Sequence, residues 1–208
     1  MPERWLLRRL PPPLDRNGLL LTFDDGPTPG VTEAVLERLE RHRARALFFM
    51  LGRHAARHPD LARAVAAAGH PVGNHSHDHD MSRWQAPWRW WTDLRRAGRA
   101  LAAAGVPAPR FYRPPGGRIT PLTVAGPPLL GLRTVLWSVD SDDWRDRDPA
   151  AARALGRRLA ESVAPGDIVL CHDIRPANAM LLDELLPRLA DRGLDLAGPA
   201  IALAGGAA

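Results

Sequence analysis

Short apolar runs alternate with longer helical patterns along almost the whole chain. The runs LLLTF at 19–23, ALFFML at 46–51 and DIVLCH at 167–172 have the length and apolar character of buried strands. Strands that alternate with helices form parallel sheets or barrels, because parallel neighbours need a long crossover connection. The sequence therefore predicts an α/β fold in which helices cover a parallel sheet or barrel.

The other predicted elements continue this alternation. Further strands are predicted at 110–112 and 132–139, and helices at 29–42, 58–69, 87–105, 148–163 and 177–193. Glycine and proline interrupt residues 120–131, where we predict no helix, and the tail at 194–206 makes a poor final strand. We interpret residues 1–18 as an N-terminal lead-in and residues 19–208 as a single domain.

Arginine alone carries the positive charge of the chain. All 28 basic residues are Arg, none is Lys, and the formal net charge is +5. Because the arginines are scattered among alanines rather than gathered on one face, we predict no nucleic-acid partner. The lack of lysine in the sequence excludes a Schiff-base lysine, a pyridoxal-phosphate enzyme and a Walker A loop.

The sequence shows no membrane-spanning or export segment. No apolar stretch reaches the length of a membrane span, and the N-terminal residues lack the continuous apolar segment of a signal peptide. We therefore expect no membrane insertion and, by default, a cytoplasmic location. The sequence makes no prediction of oligomeric state.

The single cysteine, Cys171, permits no internal disulfide. Its neighbour His172 would point to the opposite face of the predicted strand, so the two do not form a nucleophile–base pair easily. We interpret Cys171 as a small core residue.

Polar residues gather where the predicted strands end. In parallel α/β folds the ligand site lies at the carboxyl ends of the strands, so these residues should meet on one rim. They are Asp24 and Asp25 after LLLTF, Arg113 after RFY, Asp140 to Asp143 after LRTVLWSV, and His172 at the end of DIVLCH.

The densest signal is the histidine-rich segment GHPVGNHSHDHDMS at 69–82, which contains His70, His75, His77 and His79. Four histidines within ten residues favour a metal site over surface decoration. His75 and His79 share a face in a helical turn, whereas His75 and His77 share one in an extended segment. Asp24 or Asp25 would complete a two-histidine, one-carboxylate site, and periodicity does not choose among these sets.

Several tryptophans lie at helical spacing in the segment that follows. Trp84, Trp88 and Trp91 fall on one stripe that continues through Leu94 and Leu101. We interpret this stripe as core packing rather than as a sugar-binding platform.

Five motifs occur in a fixed order: TFDDGP at 22–27, HSHDH at 75–79, RPPGG at 113–117, DSDDW at 140–144 and IVLCH at 168–172. Together they resemble the motifs of polysaccharide deacetylases with a NodB-homology domain, carbohydrate esterase family 4. The resemblance covers about residues 19–195. It implies a distorted (β/α) barrel of seven or eight parallel strands and the removal of acetyl groups from sugars with a divalent metal.

The resemblance also implies residue roles. Asp25, His75 and His79 would bind the metal, with His77 as a non-ligand between them, and zinc is the expected ion, with cobalt, nickel and manganese as alternatives. Asp24 would be the general base that takes a proton from metal-bound water, held by Arg113. His172 would be the general acid that protonates the departing amine, with Asp143 tuning its pKa.

The remaining inferences concern the substrate. Leu170 and Trp144 would line the pocket for the acetyl methyl group, and the backbone N–H of Gly116 would stabilise the oxyanion at a position where many family members carry an aromatic residue. The expected substrate is an N-acetylglucosamine-type polysaccharide or oligosaccharide. The alternatives are an O-acetylated sugar, a small non-sugar amide, or an inactive carbohydrate-binding module.

Overall fold

The computed structural model describes residues 5–82, 86–145 and 148–205. Its strands are β1 Leu6–Leu7, β2 Leu20–Asp24, β3 Ala46–Met50, β4 Val72–Asn74, β5 Phe111–Tyr112, β6 Arg133–Val135, β7 Val139–Asp140 and β8 Ile168–His172. Its helices are α1 Thr32–Arg41, α2 Gly52–Arg57, α3 Pro59–Ala67, α4 Pro87–Ala103, α5 Pro121–Ala125, α6 Pro149–Ser162, α7 Pro176–Asp191 and α8 Gly198–Gly205. Short 3-10 helices lie at Pro115–Gly117 and Pro127–Leu130.

The strands form one parallel sheet in the order β1-β6-β5-β4-β3-β2-β8-β7. β1 and β7 are its edges, so the sheet curls into an open barrel rather than a closed ring. This architecture confirms the predicted α/β fold and the distorted barrel of parallel strands. Among the described residues, no helix is both long enough and apolar enough to cross a membrane.

The central strands β2 and β3 are buried along their whole length. Successive side chains of a strand point to opposite faces. On β2, Leu21 and Phe23 pack with the surrounding helices, whereas Leu20 packs with residues of other strands in the barrel interior. Alternation therefore directs Thr22 and Asp24 into the barrel as well. α8 closes the end of the barrel interior opposite to Asp24, where its Leu203 packs in the same apolar cluster as Leu20.

The predicted strand at 132–139 is two strands. β6 ends at Val135 and pairs with β5, whereas β7 begins at Val139 and pairs with β8 on the far side of the opening. The three residues between them carry the chain across that opening. Because 132–139 contains no glycine or proline, its pattern could not reveal the break.

The structure also contains elements that the sequence patterns did not predict. Residues 120–131 contain α5, which begins with a capping box formed by Thr120 and Thr123, and a 3-10 helix. β1, β4 and α2 were not predicted, and the tail forms α8 rather than a strand. These elements are short, with eight residues or fewer to establish a periodic pattern.

The predicted tryptophan stripe is wrong at Trp88, whereas Trp91 is partly buried and packs against the core cluster that contains Trp90. Trp88 is 70% exposed, whereas Trp90 is buried and its indole N–H donates to the hydroxyl of Tyr112 at 2.9 Å. The buried face of α4 runs through Trp90, Leu94 and Leu101, so the leucines of the predicted stripe do pack in the core. Trp84 lies outside the described residues.

Candidate active site

β2 ends in two carboxylates that face the same histidine. Asp24 points into the barrel, and regular alternation would send the next side chain to the other face. Asp25 instead has a left-handed backbone, with φ of 76°. As a result, Asp24 Oδ2 and Asp25 Oδ1 lie 3.6 and 3.4 Å from Nε2 of His75.

The part of the histidine-rich segment at 75–80 is a loop after β4, neither a helical turn nor an extended strand. Ser76 and His79 both have positive φ, of 74° and 58°. The loop is held by the backbone N–H of His79, which donates to Ser76 Oγ at 3.1 Å. The loop places the ring centroids of His75 and His79 5.2 Å apart. The backbone N–H of His77 donates to Asp93 of α4 at 2.9 Å, and this ring is not part of the cluster.

Asp25, His75 and His79 fit a divalent cation. Their ligand atoms all lie within 4.8 Å of one another. Asp25 Oδ1 is buried and, within the described part of the chain, has no hydrogen-bond partner, while His79 Nε2 lies 3.5 Å from it. His75 Nδ1 lies 2.9 Å from the carbonyl oxygen of Arg113, a pairing that would fix the tautomer and leave Nε2 as a ligand.

The charges in this cluster also favour a cation. Burial raises the pKa of Asp25, but the close approach and charge of His75, followed by His79 and His172, outweigh burial and hold this pKa below its usual value. Burial lowers the pKa of His75, yet Asp24 and Asp25 raise it overall. Burial and the neighbouring His75 lower the pKa of His79. A positive charge between these groups would balance the two carboxylates.

Arg113 lies behind Asp24 and is fully buried. Its Nη1 donates to Asp24 Oδ1 and to Thr22 Oγ1, both at 2.7 Å. Its other nitrogens donate to the carbonyl oxygens of Val135 at 3.1 Å and Leu136 at 2.9 Å. The guanidinium thus holds one oxygen of Asp24 and leaves Oδ2 turned toward His75.

His172 faces the two aspartates from the neighbouring strand. It pairs with Asp24 in the register of β2 and β8, and its Nδ1 lies 2.7 Å from Oδ1 of Asp143. Asn178 donates to Oδ2 of Asp143 at 3.0 Å and orients it. Burial lowers the pKa of His172, but the hydrogen bond and charge of Asp143 outweigh burial and raise it to about 9.

The other predicted site residues lie around this rim. Leu170 is buried two residues before His172, on the same face of β8. Trp144 is 48% exposed, so it is not a core aromatic, and the guanidinium of Arg145 lies 5.0 Å from its ring centroid. Gly116 has φ of 60°, and a Cβ there would come within 3.0 Å of the sulfur of Met81, which covers this position.

Sequence reasoning missed two polar residues beside the site. His54 of α2 has its Nδ1 2.7 Å from the carbonyl oxygen of Asp25. Asp173, the residue after His172, is fully buried. Burial raises the pKa of Asp173 to about 8. The charges of Asp25 and Asp24 add to this increase, whereas the hydrogen bond from Thr32 opposes it. The position of Asp173 at the end of a predicted strand could have identified it as a candidate site residue. His54 lies within a helix that was too short to be predicted, so the sequence offered no such indication.

The fold and the rim define an α/β barrel protein with a cluster of two histidines and one carboxylate, which could hold a metal ion, at the carboxyl ends of its strands. The family model described as "Polysaccharide deacetylase" matches residues 12–135. The chain belongs to the polysaccharide deacetylase family.

Three relatives illustrate the likeness. A chitooligosaccharide deacetylase from Bradyrhizobium is 38% identical, with 85% of this chain and 86% of the relative covered. The peptidoglycan-N-acetylglucosamine deacetylase PgdA of Listeria monocytogenes is 33% identical over 85% of this chain. The chain spans only 37% of the length of that protein. A family 4 carbohydrate esterase from Streptomyces lividans, solved with acetate, superposes with a TM-score of 0.78 at 32% identity, covering 86% and 91% of the two chains.

Proposed function

We propose that the chain is a metal-dependent deacetylase that hydrolyses N-acetyl groups on N-acetylglucosamine-type polysaccharides or oligosaccharides. The observation that carries this proposal is the register of β2 and β8, which places Asp24 opposite His172 beside the Asp25–His75–His79 cluster. A base and an acid beside a ligand set are the groups that amide hydrolysis requires. The names of the relatives support the choice of substrate.

Asp25, His75 and His79 would hold the cation. A divalent metal supplies Lewis acidity, which polarises the acetyl carbonyl and makes water easier to deprotonate at neutral pH. Zinc suits two imidazoles and one carboxylate, and cobalt, nickel or manganese would fit the same donors.

Asp24 and His172 would move the protons. Arg113 occupies Oδ1 of Asp24, so Oδ2 accepts a proton from the attacking water while its oxygen adds to the acetyl carbon. The pairing of His172 Nδ1 with Asp143 leaves Nε2 to give a proton to the departing nitrogen. The carbon–nitrogen bond then breaks, and the products are acetate and a free amine.

The rim residues would bind the acetyl group. In this proposal the backbone N–H of Gly116 stabilises the developing oxyanion, because glycine retains the donor that catalysis needs. Leu170 and Trp144 contact the acetyl methyl. Trp144 offers an exposed indole and Leu170 a buried aliphatic side chain, and both are apolar.

Acetate release from N-acetyl-chitooligosaccharides tests the function. Protein stripped of metal by a chelator should be inactive, and resupplied zinc should restore release, because the cation site would be filled again. Acetylated xylan is assayed in parallel. Release from xylan alone would overturn the N-acetyl assignment, and metal-independent release would overturn the metal site.

The pH dependence tests the acid. His172 is protonated below its raised pKa of about 9, so kcat/KM should fall as pH rises through that region. Asp143→Asn removes the charge and hydrogen bond that raise this pKa, so the alkaline limb should move to lower pH. The measurement is kcat/KM between pH 6 and pH 10.

The matched control is Asp142→Asn. Asp142 is the neighbouring carboxylate, with a side chain that is 51% exposed, and its replacement should leave the profile unchanged. An Asp143→Asn profile that superposes on the wild type would contradict the assignment of His172.

A further inference from the structure

A third carboxyl group, that of Asp173, is buried directly behind the turn that carries Asp25. Asp173 follows β8 and has 0% exposure. Its Oδ2 accepts a hydrogen bond of 2.5 Å from Thr32 Oγ1 at the start of α1. Its Oδ1 is also buried and has no hydrogen-bond partner among the residues that the structure describes. A buried carboxyl that is only half satisfied is costly, so its presence requires an explanation.

The carboxyl of Asp173 packs against the backbone at Gly26. A Cβ placed on Gly26 would lie 2.2 and 2.3 Å from the two carboxylate oxygens, so only glycine fits beside this group. The backbone N–H of Asp173 lies 3.4 Å from the carbonyl oxygen of Asp24 and donates to it. Asp173 therefore contacts the chain on both sides of Asp25.

Thr32 extends this contact to the far side of the turn. The backbone N–H of Thr28 donates to Thr32 Oγ1 at 2.8 Å, and the same hydroxyl donates to Asp173. The segment from Asp24 to Thr28 is thus braced by the end of β8 and by the start of α1.

The turn needs such a brace because Asp25 has a left-handed backbone, with φ of 76°. This conformation is unfavourable for a residue other than glycine and persists where the surroundings hold it. It also keeps the carboxylate of Asp25 on the same side as that of Asp24, within 3.4 and 3.5 Å of the imidazoles of His75 and His79.

We propose that Asp173 is a positioning residue, which holds the Asp25–Gly26 backbone and thereby aims the Asp25 carboxylate at the two histidines. This inference rests on the proposed role of Asp25 as a metal ligand. Asp173 itself does not contact the cation. It acts through the turn, so its loss should weaken metal binding before it affects any later step.

Zinc affinity of the full chain tests this inference. It is measured by competition with a chromophoric chelator, and the melting temperature of each variant is recorded. Asp173→Ala should weaken zinc binding about 10–100-fold, as the loss of an outer-shell partner does. Asp173→Asn keeps the volume and an acceptor for Thr32, so it should recover most of the affinity.

Asp167→Ala is the matched control. Asp167 is also buried, immediately precedes β8 at the opposite end of that strand, and forms an ion pair with Arg9. Its loss should lower the melting temperature and leave zinc affinity unchanged. An equal loss of affinity in both alanine variants would show a general effect of destabilisation and would overturn the proposal. Wild-type affinity in Asp173→Ala would overturn it as well.

Two further variants keep the outcomes separate. Asp25→Ala should lose zinc; if it binds zinc as the wild type does, the proposed metal site itself fails. Loss of zinc in Asp25→Ala with full affinity in Asp173→Ala refutes only the positioning role. If Asp173→Ala does not fold, Thr32→Val removes the hydroxyl that holds the carboxyl. Weaker zinc binding in Thr32→Val would then support the proposal, and unchanged binding would overturn it.

Discussion

The Asp24→Asn variant is expected to lose about 10²–10⁴-fold in kcat, the usual contribution of a general base. The amide of asparagine cannot take a proton from water, but its oxygen can still accept the hydrogen bond that Arg113 donates to Asp24. The buried guanidinium therefore keeps a partner, and the fold should survive. Asp25, His75 and His79 are unchanged, so zinc should remain bound at the wild-type stoichiometry. Acetate release and elemental analysis of the purified variant measure the two quantities.

His79→Ala is the matched comparison for this variant. It removes one of the three candidate ligands, so both zinc and activity should be lost together. The two variants separate a residue that moves protons from a residue that holds the cation. Unimpaired turnover in Asp24→Asn would refute the base assignment, and stoichiometric zinc in His79→Ala would refute the ligand assignment.

Replacement of Arg113 by Met should lower the free energy of unfolding by about 3–5 kcal/mol, because removal of one partner leaves a buried charge uncompensated. That charge is the carboxylate of Asp24, which is 3% exposed. The carbonyl groups of Val135 and Leu136 also lose their donors. Since a domain is stable by only about 5–15 kcal/mol, this loss is a large part of the total. Urea denaturation of the purified variant gives the value.

Two controls accompany the Arg113→Met variant. Arg99→Met changes an exposed arginine of α4 and should leave the free energy of unfolding nearly unchanged. The double variant Arg113→Met/Asp24→Asn removes the uncompensated charge and should recover part of the loss. If Arg113→Met is as stable as Arg99→Met, the guanidinium does not support the fold as described.

Much of the fold was predictable because its longer elements carry strong patterns. β2, β3 and β8 have five residues each and are mostly apolar, and their burial on both faces gives a continuous signal. β4 has three residues, one of them Gly73, and carries no such pattern. In α4, tryptophans at 88, 90 and 91 fit two helical phases, and only packing against Tyr112 and the neighbouring strands decides which phase is buried.

The residues of the site were easier to predict than their arrangement. The strand-end rule identified Asp24, Arg113 and His172, which the structure brings together. It could not place Asp25 beside Asp24, because a left-handed backbone at a non-glycine residue has no sequence pattern. The positive φ of His79 likewise belongs to neither a helix nor a strand, so neither the helical nor the strand periodicity could predict it. Periodicity left several possible ligand sets open, and the family resemblance carried by the five motifs selected one of them.

The hydrogen bonds of Arg113 to the end of β6 give this residue a structural role beside its proposed catalytic one. The backbone carbonyl groups of Val135 and Leu136, at the carboxyl end of β6, accept hydrogen bonds from the guanidinium, so a side chain satisfies main-chain groups there. Selection for folding alone would therefore retain this arginine. In relatives that have lost turnover, an arginine in the third motif would mark only an intact barrel. In the proposed mechanism, whether such a chain is still an enzyme would be read from the positions of Asp24 and His172.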